Sequence, residues 1–252
     1  GLQLVRANRR IAILDSNRPR HAATLQSHGF LTRDGASPLE LRRLGREEFE
    51  AYGTATFAQA LVREVRPLTA DEARATGFPD GIGFRVRGTG VRGAADVELF
   101  ARRVLIAAGL SEELPPFPTI RAYYGTALHS CVECDGFEKT AGPLALIGET
   151  SDVFSRALLI SRFSSDLIVF TNGADTVRPE QERQLAAIGI GVERRPIDDI
   201  VGERAEMTGV RLADGEVIPR VGGFVRPRWH APVEFLGELP LERDDWGLVV
   251  VD

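Results

Sequence analysis

The chain has 252 residues, 43% of them hydrophobic and 27% charged, with a net charge of −5. That length holds one large domain or two ordinary ones. The acidic balance and the scattered arginines argue against nucleic acid and anionic membrane as partners, and no stretch approaches the ~18 apolar residues of a membrane helix.

Residues 2–7 read as the end of a helix, followed by the apolar strand Ile11-Ala12-Ile13-Leu14 and then Asp15. In a dinucleotide-binding βαβ unit an acid at that strand end accepts hydrogen bonds from ribose hydroxyls, although an Asp that merely ends a strand is the commoner case. A helix is expected over 37–52, where Ser37 caps it, Pro38 suits its first turn and Glu40 completes a capping box. Leu41, Leu44, Phe49 and Tyr52 fall on one face of it, and Gly53 ends it. From 54 to 106 the pattern turns to period two. Phe84-Arg85-Val86-Arg87 alternates, and 97–106 supplies two more strand-like runs, set apart by the 77–83 stretch and the turn at 88–95. A small antiparallel meander is the natural reading. It ends in the strand Leu105-Ile106-Ala107-Ala108-Gly109, whose small residues let a backbone or ligand come close.

Residues 110–120, with Pro115, Pro116 and Pro118, read as a linker. A second βαβ pattern then begins, with a strand over 144–147, a helix over 151–163, a strand over 166–170 and a helix over 178–188 ended by Gly189. The expected fold is α/β, with two nucleotide-binding, Rossmann-like domains, the first carrying an inserted antiparallel β-meander. Arg226, Arg228 and His230, beside Trp229 in a Pro-bearing segment, read as loop and surface residues.

The chain's two cysteines are Cys131 and Cys134. A secreted scaffold held by disulfides needs more than two, so the pair reads as chemical. No signal peptide, lipidation motif or low-complexity tract is visible, and a cytoplasmic location is expected. Thiols at this spacing close a small disulfide ring and cycle: one thiolate attacks a substrate disulfide, and the other resolves the mixed disulfide. Asp135, next in sequence, is placed to accept and return the proton that exchange moves. Glu133 works against a nearby thiolate unless the fold turns it away. A zinc half-site of His129, Cys131 and Cys134 falls short of the four ligands a structural site needs, so no metal is expected. Two inert buried thiols are the bland alternative.

The segment 125–138, GTALHSCVECDGFE, resembles the active-site segment of the low-molecular-weight thioredoxin reductases and the related FAD-dependent dithiol oxidases, a family of pyridine nucleotide-disulfide oxidoreductases. That family carries CxxCDG, an aromatic residue (here Phe137) and then the first strand of a nicotinamide-binding domain. Asp15 matches the end of the second strand of its FAD fold, and His28-Gly29-Phe30 lies where its chain passes near the flavin. Ala107-Ala108-Gly109 matches its ATG-type strand end, and the run from Trp246 to Asp252 resembles its strand of return to the FAD domain. The resemblance implies FAD as cofactor, with Asp15, Arg20, His28, Ala108 and Gly109 as binding residues. It implies Cys134 as the flavin-proximal sulfur, Cys131 as the interchange thiol and Asp135 as the acid–base group. It also implies a homodimer whose substrate is a thioredoxin-like protein or a small dithiol or disulfide. By the same match, 1–112 is the first part of an FAD-binding domain, 118–235 an NAD(P)-binding-like domain with the CxxC pair, and 240–252 the return strand. The family's GxGxxG phosphate loop belongs before residue 2 and its glycine–aspartate motif after Asp252, so further segments are expected at both ends.

The nicotinamide loop departs from the family pattern. Gly148, Thr150 and Val153 stand at the small positions of GxGxxA, and Thr150 replaces the glycine that lets a backbone reach the pyrophosphate. Glu149 and Asp152 bring negative charge to a helix N-terminus that otherwise attracts phosphate. Thr171-Asn172-Gly173 lacks the basic residues that hold a 2′-phosphate. The expectation is an FAD-dependent thiol–disulfide oxidoreductase in which NAD(P)H fits poorly and oxygen or another carrier exchanges electrons with the flavin. The alternatives are an NAD(P)H-dependent thioredoxin-disulfide reductase and a non-catalytic redox sensor that retains the fold.

Overall fold

A computed structural model describes every residue except Pro79, Ala141, Glu238, Trp246 and Asp252. Trp246 and Asp252, which bound the return-strand motif, therefore lie outside the described residues. Two compact units divide the chain: Gly1–Ala22, Leu39–Ser111 and His230–Asp252 make the first, and Ala23–Pro38 and Glu112–Trp229 the second.

The first unit opens with α1 (Leu2–Arg6), β1 (Ile11–Leu14), α2 (Pro38–Glu50) and β2 (Ala55–Ala58). β1 and β2 pair in parallel, Ile11 opposite Ala55 and Leu14 opposite Ala58, with α2 as the crossover. The apolar stripe of α2 turns inward at Phe49, 2% exposed, while Arg43 pairs with Glu40 and Glu47 on the wet face. The meander follows as β3 (Ala60–Pro67), α3 (Ala70–Thr76), β4 (Phe84–Gly90) and β5 (Val97–Ala101), with β3, β4 and β5 antiparallel in that order. The sequence reading did not place α3, although Thr69 and Glu72 form a reciprocal capping box at its start. The expected strand over 105–109 is absent from the described residues. The run from Leu105 to Gly109 joins no strand ladder, and Leu105 is 79% exposed. An apolar run becomes a strand only where a neighbour accepts its backbone bonds. Val65, Val86, Val233 and Leu236 form the core of this unit, with Leu14, Phe84, Leu99 and Val249 packed against them.

The second unit continues with β6 (Ser111–Glu113), α4 (Ile120–Tyr123), β7 (Leu128–His129), α5 (Val132–Asp135), β8 (Leu144–Ile147), α6 (Val153–Ile160), β9 (Leu167–Phe170), α7 (Pro179–Ala187) and β10 (Gly191–Glu193). A second antiparallel meander, β11 (Ile197–Glu203), β12 (Glu206–Leu212) and β13 (Val217–Pro219), precedes β14 (Gly222–Val225). Five strands make one parallel sheet in the order β10-β9-β8-β14-β7. A parallel sheet is covered on both faces, which is why β8 and β9 are unbroken apolar runs. Their side chains alternate between two cores. Leu144 and Leu146 pack with Val153, Ala157, Ile160 and Leu185 of α6 and α7. Ala145 and Ile147 face Ile200, Met207, Val210 and Leu212 of the meander. Each such buried aliphatic side chain contributes roughly 1.5–3 kcal/mol of transfer free energy. The expected linker is docked rather than free, since Leu114 and Phe117 are 9% and 7% exposed and belong to the meander-side core. Among the described residues no helix is long and apolar enough to cross a membrane.

Candidate active site

Cys131 and Cys134 are joined in a disulfide with their Cα atoms 5.3 Å apart. Cys131 is the N-cap of the single-turn α5, and Cys134 lies within it. The residue before the pair is anchored: Ser130 Oγ donates to Glu112 Oε1 at 3.0 Å, and Tyr124 Oη donates to Glu112 Oε2 at 2.7 Å. The residue that ends α5 must be small. A Cβ at Gly136 would stand 2.6 Å from the Val132 carbonyl oxygen and 3.0 Å from the Phe163 ring. The glycine of CxxCDG thus lets the helix turn back against Phe163.

Asp135 is 9% exposed, and its Oδ1 lies 2.7 Å from Nδ1 of His129, itself 8% exposed. The other ring nitrogen, Nε2, is 2.7 Å from the Thr126 carbonyl. Both nitrogens are engaged, which leaves neither for a metal. Among the described residues no group of three or more His, Cys, Asp or Glu is arranged to hold one. Lys139 donates to the carbonyls of Thr126 at 3.2 Å and Ala127 at 2.9 Å. Burial pushes its ammonium below the usual value, against the opposing pull of Asp135 and Glu138. Glu133 is not turned away from the sulfur: Cys131 Sγ and Glu133 Oε2 are 3.9 Å apart. Arg156 Nη1, 3.7 Å from Glu133 Oε1, offsets part of that charge.

In the loop between β8 and α6 the polar side chains bond to one another. Asp152 Oδ2 is 2.6 Å from Arg226 Nη2 and 3.4 Å from Arg156 Nε, and Thr150 Oγ1 donates to Asp152 Oδ1 at 2.6 Å. Burial works to raise the Asp152 carboxyl, but Thr150 and Arg226 outweigh it and hold the group below its usual range. A Cβ at Gly148 would stand 2.9 Å from both Arg226 Cβ and Val153 Cγ2. Glu149 accepts from Asn172 Nδ2 at 2.7 Å and lies 3.5 Å from Arg228. The surface reading of Arg226 is corrected here. Its side chain is 11% exposed because Asp152 supplies the carboxylate that makes its burial affordable in solvation terms, whereas Arg228 stays 67% exposed.

Of the residues expected to hold FAD, Asp15, Arg20, Ala108 and Gly109 lie in the first unit and His28 in the second. Asp15 accepts from Arg42 Nη2 on Oδ2 and from the Asn17 amide on Oδ1, both at 2.7 Å. A carboxylate has about four lone-pair sites, so capacity for ribose hydroxyls remains at this parallel-strand end. Gly109 has a φ of +70° and open space where a Cβ would be, which suits a close backbone approach. Asp15 and Gly109 thus have the features that a nucleotide's ribose and backbone approach call for. His28 is set beside the cysteine segment, its Nδ1 3.5 Å from Glu138 Oε1 and 3.6 Å from Asp34 Oδ1. His129 and Arg42 were missed as site residues. Arg42 carries no sequence signal beyond an Arg on a helix, and in the sequence His129 stands out only by its zinc-ligand spacing to the cysteines.

No family model matches the chain. It is similar to a protein of Arthroderma benhamiae named as a thioredoxin reductase, 25% identical over 172 residues that cover 68% of this chain and 40% of that protein. The chain spans about half the length of the curated relatives it matches. Among solved structures, one from Bacillus anthracis named as thioredoxin reductase TrxB is 32% identical with a TM-score of 0.86, covering 100% of this chain and 79% of that one. An oxidoreductase from Agrobacterium tumefaciens is 30% identical with a TM-score of 0.80, over 100% of this chain and 79% of its own. On that identity and coverage, the chain belongs to the thioredoxin reductase-like family of pyridine nucleotide-disulfide oxidoreductases.

Proposed function

We propose that the chain carries the exchange centre of an FAD-dependent thiol–disulfide oxidoreductase, passing electrons between flavin and a dithiol or disulfide through Cys131 and Cys134. The observation behind this reading is the Cys131–Cys134 disulfide at the start of α5 with the buried Asp135 beside it. Cys131 is the interchange thiol: as a thiolate it attacks the substrate disulfide, and Cys134 then resolves the mixed disulfide. Asp135 holds and returns the proton. Asp15, Arg20, His28, Ala108 and Gly109 are the residues that would hold FAD, which when bound supplies a two-electron store for the disulfide.

The Asp152–Arg226 pair in the β8–α6 loop supports an electron route that bypasses nicotinamide, with oxygen or another carrier in its place. The names of its relatives support the other route, an NAD(P)H-dependent thioredoxin-disulfide reductase. A thioredoxin-like protein or a small dithiol or disulfide is the substrate, as dithiol or as disulfide according to the direction of electron flow, and a cytoplasmic homodimer is the form in which we expect it.

The test is anaerobic mixing of the full-length, flavin-loaded protein with NADPH, NADH and dithiothreitol in turn. The expected result is a flavin bleached by dithiothreitol and left oxidised by both nucleotides. Rapid bleaching by either nucleotide overturns the bypass and leaves the exchange centre standing. A yellow protein whose flavin dithiothreitol cannot reduce removes the exchange centre. A full-length protein that never holds flavin points to the redox sensor.

A further inference from the structure

Disulfide exchange at Cys131 and Cys134 needs a group that holds a proton and releases it on demand, and His129 has no assigned part in that work. His129 ends β7 and Asp135 ends α5, so the sheet and the active-site turn each deliver one member of a buried pair. A backbone carbonyl can only accept. The 2.7 Å contact between His129 Nε2 and the Thr126 oxygen therefore requires a hydrogen on Nε2. The 2.7 Å approach of His129 Nδ1 to Asp135 Oδ1 is a hydrogen bond only if a second proton lies between them. Together the two side chains hold one proton more than a neutral imidazole beside a carboxylate. Among the described residues Lys139 shares the Thr126 carbonyl with His129, and its ammonium feels both Asp135 and Glu138.

We infer that His129 is a positioning residue that keeps Asp135 loaded with a transferable proton, an inference that rests on the exchange reading above. In the direction of substrate reduction, the Cys131 thiol first loses its proton to solvent. Its thiolate attacks the substrate disulfide, a Cys131–substrate S–S bond forms, and the first substrate sulfur leaves as a thiolate. That thiolate takes the shared proton through Asp135 and departs as a thiol, leaving neutral His129 beside the Asp135 carboxylate. The pair is reloaded by the Cys134 thiol, whose thiolate then attacks Cys131. The Cys131–Cys134 bond forms, and the second substrate thiolate leaves and is protonated from solvent. Two thiols of the protein become one disulfide, and one substrate disulfide becomes two thiols.

Leaving groups separate this role from a structural one. An aromatic thiolate has a low pKa and leaves readily unaided, whereas an alkyl thiolate leaves more slowly and gains from protonation as it departs. The full-length protein, reduced and desalted under anaerobic conditions, is mixed with 5,5′-dithiobis(2-nitrobenzoate) and with hydroxyethyl disulfide. His129→Asn keeps a donor for Asp135 but cannot give the proton up. Its alkyl-to-aromatic rate ratio is expected to fall about a hundredfold, within the range of general acid catalysis, and to recover as the pH is lowered and solvent supplies the proton. Asp135→Asn, whose amide likewise has no proton to give, should show the same split if His129→Asn fails to fold. An unchanged ratio in a folded variant overturns the role of His129 while the exchange reading stands. Failure of the unmodified protein to react with either disulfide overturns the exchange reading itself.

Discussion

Two helix N-termini in the second unit have taken opposite courses. α5, a single turn, begins at Cys131 with Glu133 Oε2 3.9 Å from the sulfur, and Asp135 at its end is held by His129. α6 begins after Asp152, whose carboxylate is bound by Arg226, Arg156 and Thr150. There an internal acid answers the helix end that a phosphate would otherwise meet. On the proposed reading, a few side chains close an anion site between β8 and α6 that the strand, loop and helix would otherwise leave to a phosphate.

The largest expected effect tests the α5 side. Cys131→Ser in the flavin-loaded, full-length protein should cut turnover with dithiols by about a thousandfold or more, as removal of a nucleophile does. Unchanged turnover would take the interchange role from Cys131. Next come the two close approaches. Gly136→Ala and Gly148→Ala each force a methyl group into occupied space, and urea unfolding should show losses of about 1–3 kcal/mol. A loss near zero at Gly148 would mean that the Arg226 side chain gives way and the loop is more open than its packing implies.

On the α6 side, Asp152→Ala strands a mostly buried guanidinium. The expected cost is about 1–2 kcal/mol, less than for a buried pair because Asp152 is itself 36% exposed. Its pH dependence has a definite sign. The folded carboxyl lies below its usual 3.8, so its contribution is present above that value and is lost as the pH falls through the folded value. The stability gap between the unmodified protein and Asp152→Asn should therefore shrink between about pH 5 and about pH 3. A gap that widened on acidification would contradict the ion network. The smallest effect belongs to Glu133→Gln. Removing an exposed charge 3.9 Å from Cys131 Sγ should speed alkylation of the reduced thiol by about three- to fivefold at neutral pH, from roughly 1 kcal/mol of Coulomb repulsion in water.

The frame of the second unit could be read from the sequence because period and punctuation agree there. Apolar runs bounded by turns gave β8 and β9, and Gly189 marked the stop after α7. The helix expected over 151–163 runs only Val153–Ile160, since Asp152 keeps φ −88° and ψ 0° to hold its partners. The second meander was not read. Its strands offer short apolar patterns whose inward side is set by a sheet far away in sequence. The cysteine pair and Asp135 were visible as a local motif. The His129–Asp135 contact was not, because it crosses from a strand end to a helix end and follows neither a helical nor a strand period. The exposed run at Leu105 erred the other way: its composition favours a strand, but strand formation depends on a partner.

The order in which the chain threads the two units constrains its synthesis. β14 enters the parallel sheet between β7 and β8, so that sheet cannot close until residue 225 has left the ribosome. The first unit waits longer still, because Val233, Leu236 and Val249 belong to its core. The inserted unit is thus the first whose parts are all available, and both cysteines emerge well before the strand that completes their sheet. A nascent chain passes through a stage in which the two thiols are present and the fold that will govern their reactivity is not. Any disulfide closed between them at that stage is already the Cys131–Cys134 bond of the folded chain.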